Sequence, residues 1–143
     1  MVEGETHRYC PAVLDCVGRL AVVIGGGSVA ERTIRTLLGH GADVNCIAPL
    51  VTPGIDDLVA EGRITHEDRG YVRGDLGAAF LAISATDSVE VDRAVYQEAE
   101  GQGCLVHVPG APELSNFALL DDADEDWSRE RGAAAAAASG TED

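Results

Sequence analysis

The chain contains no lysine; all ten of its basic residues are arginine. Against 25 acidic residues this leaves a formal net charge of −15 and an isoelectric point near 4.4. That balance argues against non-specific nucleic-acid binding, whose affinity comes mainly from Lys and Arg on phosphates. It argues equally against adhesion to an anionic membrane surface. An all-arginine basic set fits a GC-rich genome at least as well as any function. Aromatic residues are also scarce, at 4% of the 143 residues, so a core must be built from Val, Ile, Leu and Ala. With 45% hydrophobic residues there is enough of these for one domain of ordinary size. No apolar run reaches the roughly 18 residues a membrane span needs. Residues 1–8 are polar and acidic and do not read as a signal peptide. A cytoplasmic protein is therefore expected. The four cysteines, Cys10, Cys16, Cys46 and Cys104, form no C-x-x-C pair, so neither a disulfide framework nor a metal site is expected. Cys46 and Cys104 fall within expected strands, where a free thiol acts as a small hydrophobe.

What the chain does have is Val22-Val23-Ile24-Gly25-Gly26-Gly27-Ser28-Val29-Ala30-Glu31-Arg32. It reads as a short apolar strand, a glycine turn of form G-x-G-x-x-A, and the start of a helix. Gly25 permits the tight turn. Gly27 lets the backbone approach a pyrophosphate that a Cβ would block, and Ala30 lets the helix pack close to the strand. The free N–H groups at Ser28 and Val29 then face the anion. Alone, the motif would be weak; with a strand before it and a helix after it, it points to a dinucleotide site.

The remaining pattern alternates short apolar runs with helical periods. Expected strands are Leu20–Ile24, Val44–Ile47, Arg63–His66, Ala79–Ser84 and Cys104–Val108. One helix is expected over Ser28–Leu38, with Val29, Thr33 and Leu37 as one row and Ala30, Ile34 and Leu38 as the next, and with Gly39 and Gly41 ending it. A short helix over Pro53–Ala60 has Thr52 as cap and Pro53 at its first position. A third follows Asp87, with Glu90 three residues on in a capping-box-like pair. Its buried face is Val91, Val95 and Ala99, and Gly101 and Gly103 close it. The alternation implies an α/β fold: a Rossmann-type doubly wound parallel sheet of five strands with helices on both faces, in a single domain. Ligands in such sheets bind beyond the carboxyl ends of the strands, here Gly25–Ser28, Ala48–Leu50, Ser84–Asp87 and His107–Gly110.

From Asp121 the character changes. Residues 121–143 carry eight acidic and two basic side chains and an alanine run, with Trp127 as the one large apolar group. The expected organisation is an NAD-binding Rossmann domain over residues 1–120 and an acidic, Ala-rich, disordered tail over 121–143.

Five segments in register resemble a known family. Pro11-Ala12-Val13-Leu14-Asp15 leads through Gly18-Arg19 into the Gly25–Arg32 turn. Then come Gly41-Ala42-Asp43-Val44 with Ala48-Pro49, Glu61-Gly62-Arg63-Ile64, Phe80 through Asp87, and Pro112-Glu113-Leu114-Ser115-Asn116-Phe117. In that order and spacing residues 9–118 are similar to the N-terminal domain of siroheme synthases, the precorrin-2 dehydrogenase family. The resemblance implies NAD-dependent oxidation of precorrin-2, a reduced tetrapyrrole, to sirohydrochlorin in siroheme biosynthesis. It places cofactor contacts on Gly25, Gly26, Gly27, Ser28 and Val29, on Pro49 and Leu50 near the adenosine, and on Thr86 and Asp87 near the nicotinamide end. It implies a tetrapyrrole as substrate and a homodimer or partner chain to supply the family's C-terminal region; iron insertion is not expected of this chain.

The resemblance also has departures. The family's strand-five loop carries an aspartate thought to act in catalysis, and Gly110 stands at that position, so the catalytic residue is unknown. A non-catalytic NAD- or tetrapyrrole-binding module that needs a partner chain is the alternative. An acidic chain and a polycarboxylate substrate repel each other; Arg32, Arg35, Arg69 and Arg73 are the candidates to offset this, or are solvated surface residues. Ala48-Pro49 after strand two offers neither an acid for a ribose nor an arginine for a phosphate, so NAD is expected over its phosphorylated form only by the lack of a phosphate ligand and by resemblance. Asp87 has two compatible readings, helix cap and cofactor contact. His107 is either an acid/base group or a structural histidine.

Overall fold

The computed structural model describes residues 9–120, so the expected tail and its Trp127 lie outside the described residues. Residues Cys16–Ala118 form one compact unit, and residues 9–15 and 119–120 belong to a second. Within the first unit five strands, β1 (Leu20–Ile24), β2 (Asp43–Ile47), β3 (Thr65–Glu67), β4 (Leu81–Ser84) and β5 (Leu105–His107), form one sheet in the order β3-β2-β1-β4-β5. Every pairing is parallel. Three α-helices connect them: α1 (Ser28–Gly39), α2 (Pro53–Ala60) and α3 (Val89–Gln102). The fold is the expected Rossmann-type α/β domain.

Right-handed crossovers place α1 and α2 on one face and α3 on the other, because the chain moves outward from β1 in opposite directions. Val22, Ile24, Ala82 and Val106 accordingly meet Val95 and Ala99 of α3, while Ala21, Val23 and Ile83 turn to the opposite face and are also buried. On α1 the buried residues are Ala30, Thr33, Ile34 and Leu37; Val29, at the head of the first expected row, is 40% exposed.

Several boundaries shift for identifiable reasons. The Arg63 N–H bonds Leu58 O to close α2, so β3 starts at Thr65 instead of Arg63. The Ala79 N–H closes a turn onto Leu76 O, delaying β4 to Leu81. Gly101 lies inside α3, and the left-handed C-cap is Gly103 alone, at φ +72°. Thr52 does cap α2, its hydroxyl accepting the Ile55 N–H at 3.1 Å, with Pro53 in the first turn as expected.

No helix spans β3 to β4. That connection is held by carboxylates instead. Arg69 donates to both oxygens of Asp75 at 2.8 and 2.9 Å, a bidentate pair. Glu98 of α3 accepts from the Tyr71 hydroxyl and from the N–H groups of Gly74 and Leu76, so Leu76 is buried in the core beside α3. Among the described residues no helix is long and apolar enough to cross a membrane.

Candidate functional site

The strand order reverses at β1, where β2 leaves on one side and β4 on the other. A crevice opens at the carboxyl ends of the strands at such a point. Here it is a cavity of about 570 Å³. Its floor is the β1–α1 turn, Gly25, Gly26 and Gly27. One wall is the chain leaving β2, Ala48 to Thr52, and the other is Ala85, Thr86 and Asp87 after β4.

The three glycines have different physical reasons. Gly25 has φ +122°, and a Cβ there would lie 2.1 Å from Ala85 O. A Cβ on Gly26 would lie 2.0 Å from Leu50 O. Both are required by the protein's own packing, which brings the exits of β2 and β4 against the turn. Gly27 is different: a Cβ there meets nothing within 4 Å. The fold does not require glycine at that position. Its absence of a side chain leaves the start of α1 open to an approaching anion. The space over Gly27 has room for a pyrophosphate at the mouth of the cavity.

Of the nine expected cofactor residues, Gly25, Gly26, Gly27, Pro49, Leu50, Thr86 and Asp87 line this cavity together. Ser28 and Val29 begin α1 directly after it but are not lining residues. Leu50 stands 84% exposed at the rim, an apolar side chain with nothing of its own domain to cover it. The Cys46 thiol behind the floor is buried and pushed up to about 11, so it is an inert filler. Among the described residues no group of three or more His, Cys, Asp or Glu is placed to hold a metal.

The β4 exit carries a correction. Asp87 is not the cap of α3. The N-cap is Ser88, whose Oγ accepts the Val91 N–H at 3.2 Å. Thr86 Oγ1 accepts the Ser88 N–H at 3.1 Å, a local turn that moves the helix start one residue on and leaves Asp87 exposed on the cavity rim. The capping-box pairing with Glu90 is lost with it. Asp92, buried one turn into α3, accepts from the hydroxyls of Ser84 and Thr86, each at 2.7 Å. The Thr86 hydroxyl has Asp92 as its nearer acceptor and Ser88 O, at 3.0 Å, as a second.

Sequence reasoning missed Gly70 and Tyr71 in the lining. Tyr71 comes from the helix-free connection and is locked by Glu98; burial first, and the neighbouring Glu98 carboxylate second, hold its phenol well above the usual range. No local pattern marks it. His107 does not join the cavity. It sits on the edge strand, its ring edge-to-face with Phe117 at 6.0 Å. Gly110 also lies outside the lining and has φ +80°. Of the four arginines, Arg35 is paired with Glu31 and Arg69 with Glu67 and Asp75, so these two hold the protein's own carboxylates.

Comparison with known proteins gives the same answer from outside the structure. Residues 12–120 match a family model described as "Putative NAD(P)-binding". The chain is 38% identical over 107 residues to a siroheme synthase of Methylobacillus flagellatus, covering 75% of this chain and 23% of that one. It is 37% identical over 117 residues to a siroheme synthase of Chromobacterium violaceum, covering 80% and 25%. The chain thus spans about a quarter of the length of these relatives. Among solved structures it resembles SirC, a precorrin-2 dehydrogenase, with 31% identity and a TM-score of 0.58 over 61% of this chain and 44% of that one.

Proposed function

The chain belongs to this NAD(P)-binding family, as the type of domain found at the N-terminus of siroheme synthases, and from that premise we propose that it is an NAD-dependent dehydrogenase of siroheme biosynthesis that oxidises precorrin-2 to sirohydrochlorin. The observation that carries the reading is the glycine turn at the floor of the cavity, where packing explains Gly25 and Gly26 and the space over Gly27 stands open at the start of α1. Gly25, Gly26 and Gly27 would hold the pyrophosphate with the N–H groups of Ser28 and Val29. Pro49 and Leu50 would border the adenosine, and Thr86 and Asp87 the nicotinamide end. Bound NAD supplies the hydride acceptor. The protein's share is binding and orientation: Asp92 and the Ser88 backbone together hold the Thr86 hydroxyl at the cavity wall and fix its rotamer. No side chain is assigned to the proton that leaves with the hydride, since Gly110 has none to offer. The comparisons lend nothing to a non-catalytic module.

We place the cofactor domain within residues 1–120, with residues 121–143 outside it. A homodimer or partner chain would supply the rest of the tetrapyrrole site. The test is anaerobic incubation of the protein with precorrin-2 and NAD, reading NADH and sirohydrochlorin absorbance together. The expected result is their appearance in equal amounts. Tight NAD binding with no NADH formed, alone or with the C-terminal part of a relative added, overturns the enzyme reading.

A further inference from the structure

The chain leaving β2 borders the site, and in a doubly wound sheet this exit is where the adenosine ribose lies. Residues Ala48-Pro49-Leu50-Val51-Thr52 contain no charge that could distinguish a ribose hydroxyl from a ribose phosphate. A charge nevertheless stands directly behind them, on α1. Glu31 Oε1 accepts the hydroxyl proton of Thr52 at 2.6 Å, and Thr52 is a lining residue. Thr52 is itself pinned to the glycine turn, its N–H donating to Gly26 O at 3.0 Å. The carboxylate is also pressed against the first turn of α2. A Cβ on Gly54 would lie 2.1 Å from Glu31 Oε2, so the carboxylate sits directly over that backbone. The positive end of α2 thus faces a carboxylate the protein supplies. The cation in this group is turned toward the same acid: Arg35 donates Nε and Nη2 to Glu31 Oε2 at 3.1 and 3.0 Å. The Thr52 hydroxyl, and after it Arg35, hold the Glu31 carboxyl below the usual carboxylate range, so it is ionised at neutral pH.

We propose that Glu31 is the residue that sets cofactor specificity, rejecting a dinucleotide phosphorylated on the adenosine ribose by occupying the anion-attracting start of α2 and engaging Arg35. This deepens the NAD reading of the site and rests on it. It locates the usual acidic discriminator on the helix after the glycine turn instead of at the end of β2. A ribose hydroxyl meets no obstacle from this arrangement. A ribose phosphate meets a carboxylate one side chain away and an arginine whose charge that carboxylate already offsets.

The test is calorimetric titration of the full chain with NAD and with NADP, for wild type, Glu31→Gln and Arg35→Ala. Gln keeps the length, the acceptor for Thr52 and the contact at Gly54, and removes only the charge. In Glu31→Gln, NADP should bind about tenfold more tightly relative to NAD, the scale of losing one partly screened charge–charge interaction. Arg35→Ala leaves the carboxylate without its counterion and should move NADP the opposite way, with NAD within about twofold. The opposite signs distinguish a charge effect from disturbed packing, which would weaken both ligands in both variants. Equal NAD and NADP affinity in the wild type, or an unchanged ratio in both folded variants, overturns the specificity proposal and leaves the NAD site standing. Failure of the wild type to bind either dinucleotide overturns the site reading, and this proposal with it.

Discussion

Gly27 and Gly110 are both glycines at strand exits, for opposite reasons. Gly27 has ordinary backbone geometry, φ −85°, and open space around its Cα. Gly27→Val should therefore still fold, at the cost of about 1 kcal/mol for a poorer N-cap, and lose NAD binding, because its methyl groups would fill the cradle. Calorimetry beside circular dichroism checks both halves; unchanged binding would refute the dinucleotide site. At Gly110 the space is also open but φ is +80°, so the backbone itself selects glycine. Gly110→Ala should lower stability by about 1 kcal/mol, and Gly110→Asp by less, since aspartate tolerates the left-handed region better. Urea unfolding of the two variants measures the order. Gly110 is thus a left-handed turn position, and a carboxylate introduced there would begin from that conformational cost.

At the scale of the element, α3 shows how one hydroxyl decides where a helix begins. Asp87, Ser88 and Glu90 all carry capping side chains, and from the linear sequence Asp87 with Glu90 is the better-spaced pair. Buried Asp92 changes the outcome by taking the Thr86 hydroxyl, which turns the chain so that Ser88 reaches the Val91 N–H. Ser88→Ala should cost about 1 kcal/mol of stability. Asp87→Ala should leave thermal stability within about 0.5 kcal/mol, as for an exposed position without a partner in the cap. Equal losses in the two would return the cap to Asp87. The same element carries Glu98, which organises the helix-free connection between β3 and β4 and so brings Tyr71 to the cavity.

Over the whole molecule, Arg35 and Arg69 of an acidic chain are paired with its own carboxylates. Arg69 holds the Asp75 carboxyl below the usual range, with the Val72 N–H as a further donor. Glu67 is lowered by Asn45 first and Arg69 second, and Glu31 by Thr52 first and Arg35 second. Each group's folded pKa lies below its unfolded value. The stability each contributes is therefore fully present above the unfolded carboxylate range, about pH 4, and is lost as pH falls through the folded values. The melting temperature should be flat from neutral pH to about 5 and fall steeply below about 4. Arg69→Ala should flatten that acid limb by removing the partner that lowers Asp75. A limb of the same steepness in the variant would mean the connection is held by Glu98 alone. Exposure limits the worth of the Glu31–Arg35 and Glu67–Arg69 pairs, and Asp75, the least exposed of the three acids, carries most of the effect.

What the sequence determined by itself was whatever repeats or punctuates within a few residues. Strand and helix order, the G-x-G-x-x-A turn, the Thr52 cap and the class of ligand could be read there, because hydrophobic period and glycine or proline chemistry act locally. Seven of the nine proposed cofactor residues meet in one cavity for the same reason: the carboxyl ends of parallel strands share an edge whatever the side chains are. The tertiary structure alone decided which charges meet. Glu31 reaches Thr52 across 21 residues and Tyr71 reaches Glu98 across 27, and both contacts exist only because the strand order β3-β2-β1-β4-β5 puts those connections side by side. A lone glutamate on an exposed helix face looks in sequence like any solvated acid. Its neighbours are set by packing between elements, and no periodicity within an element encodes that.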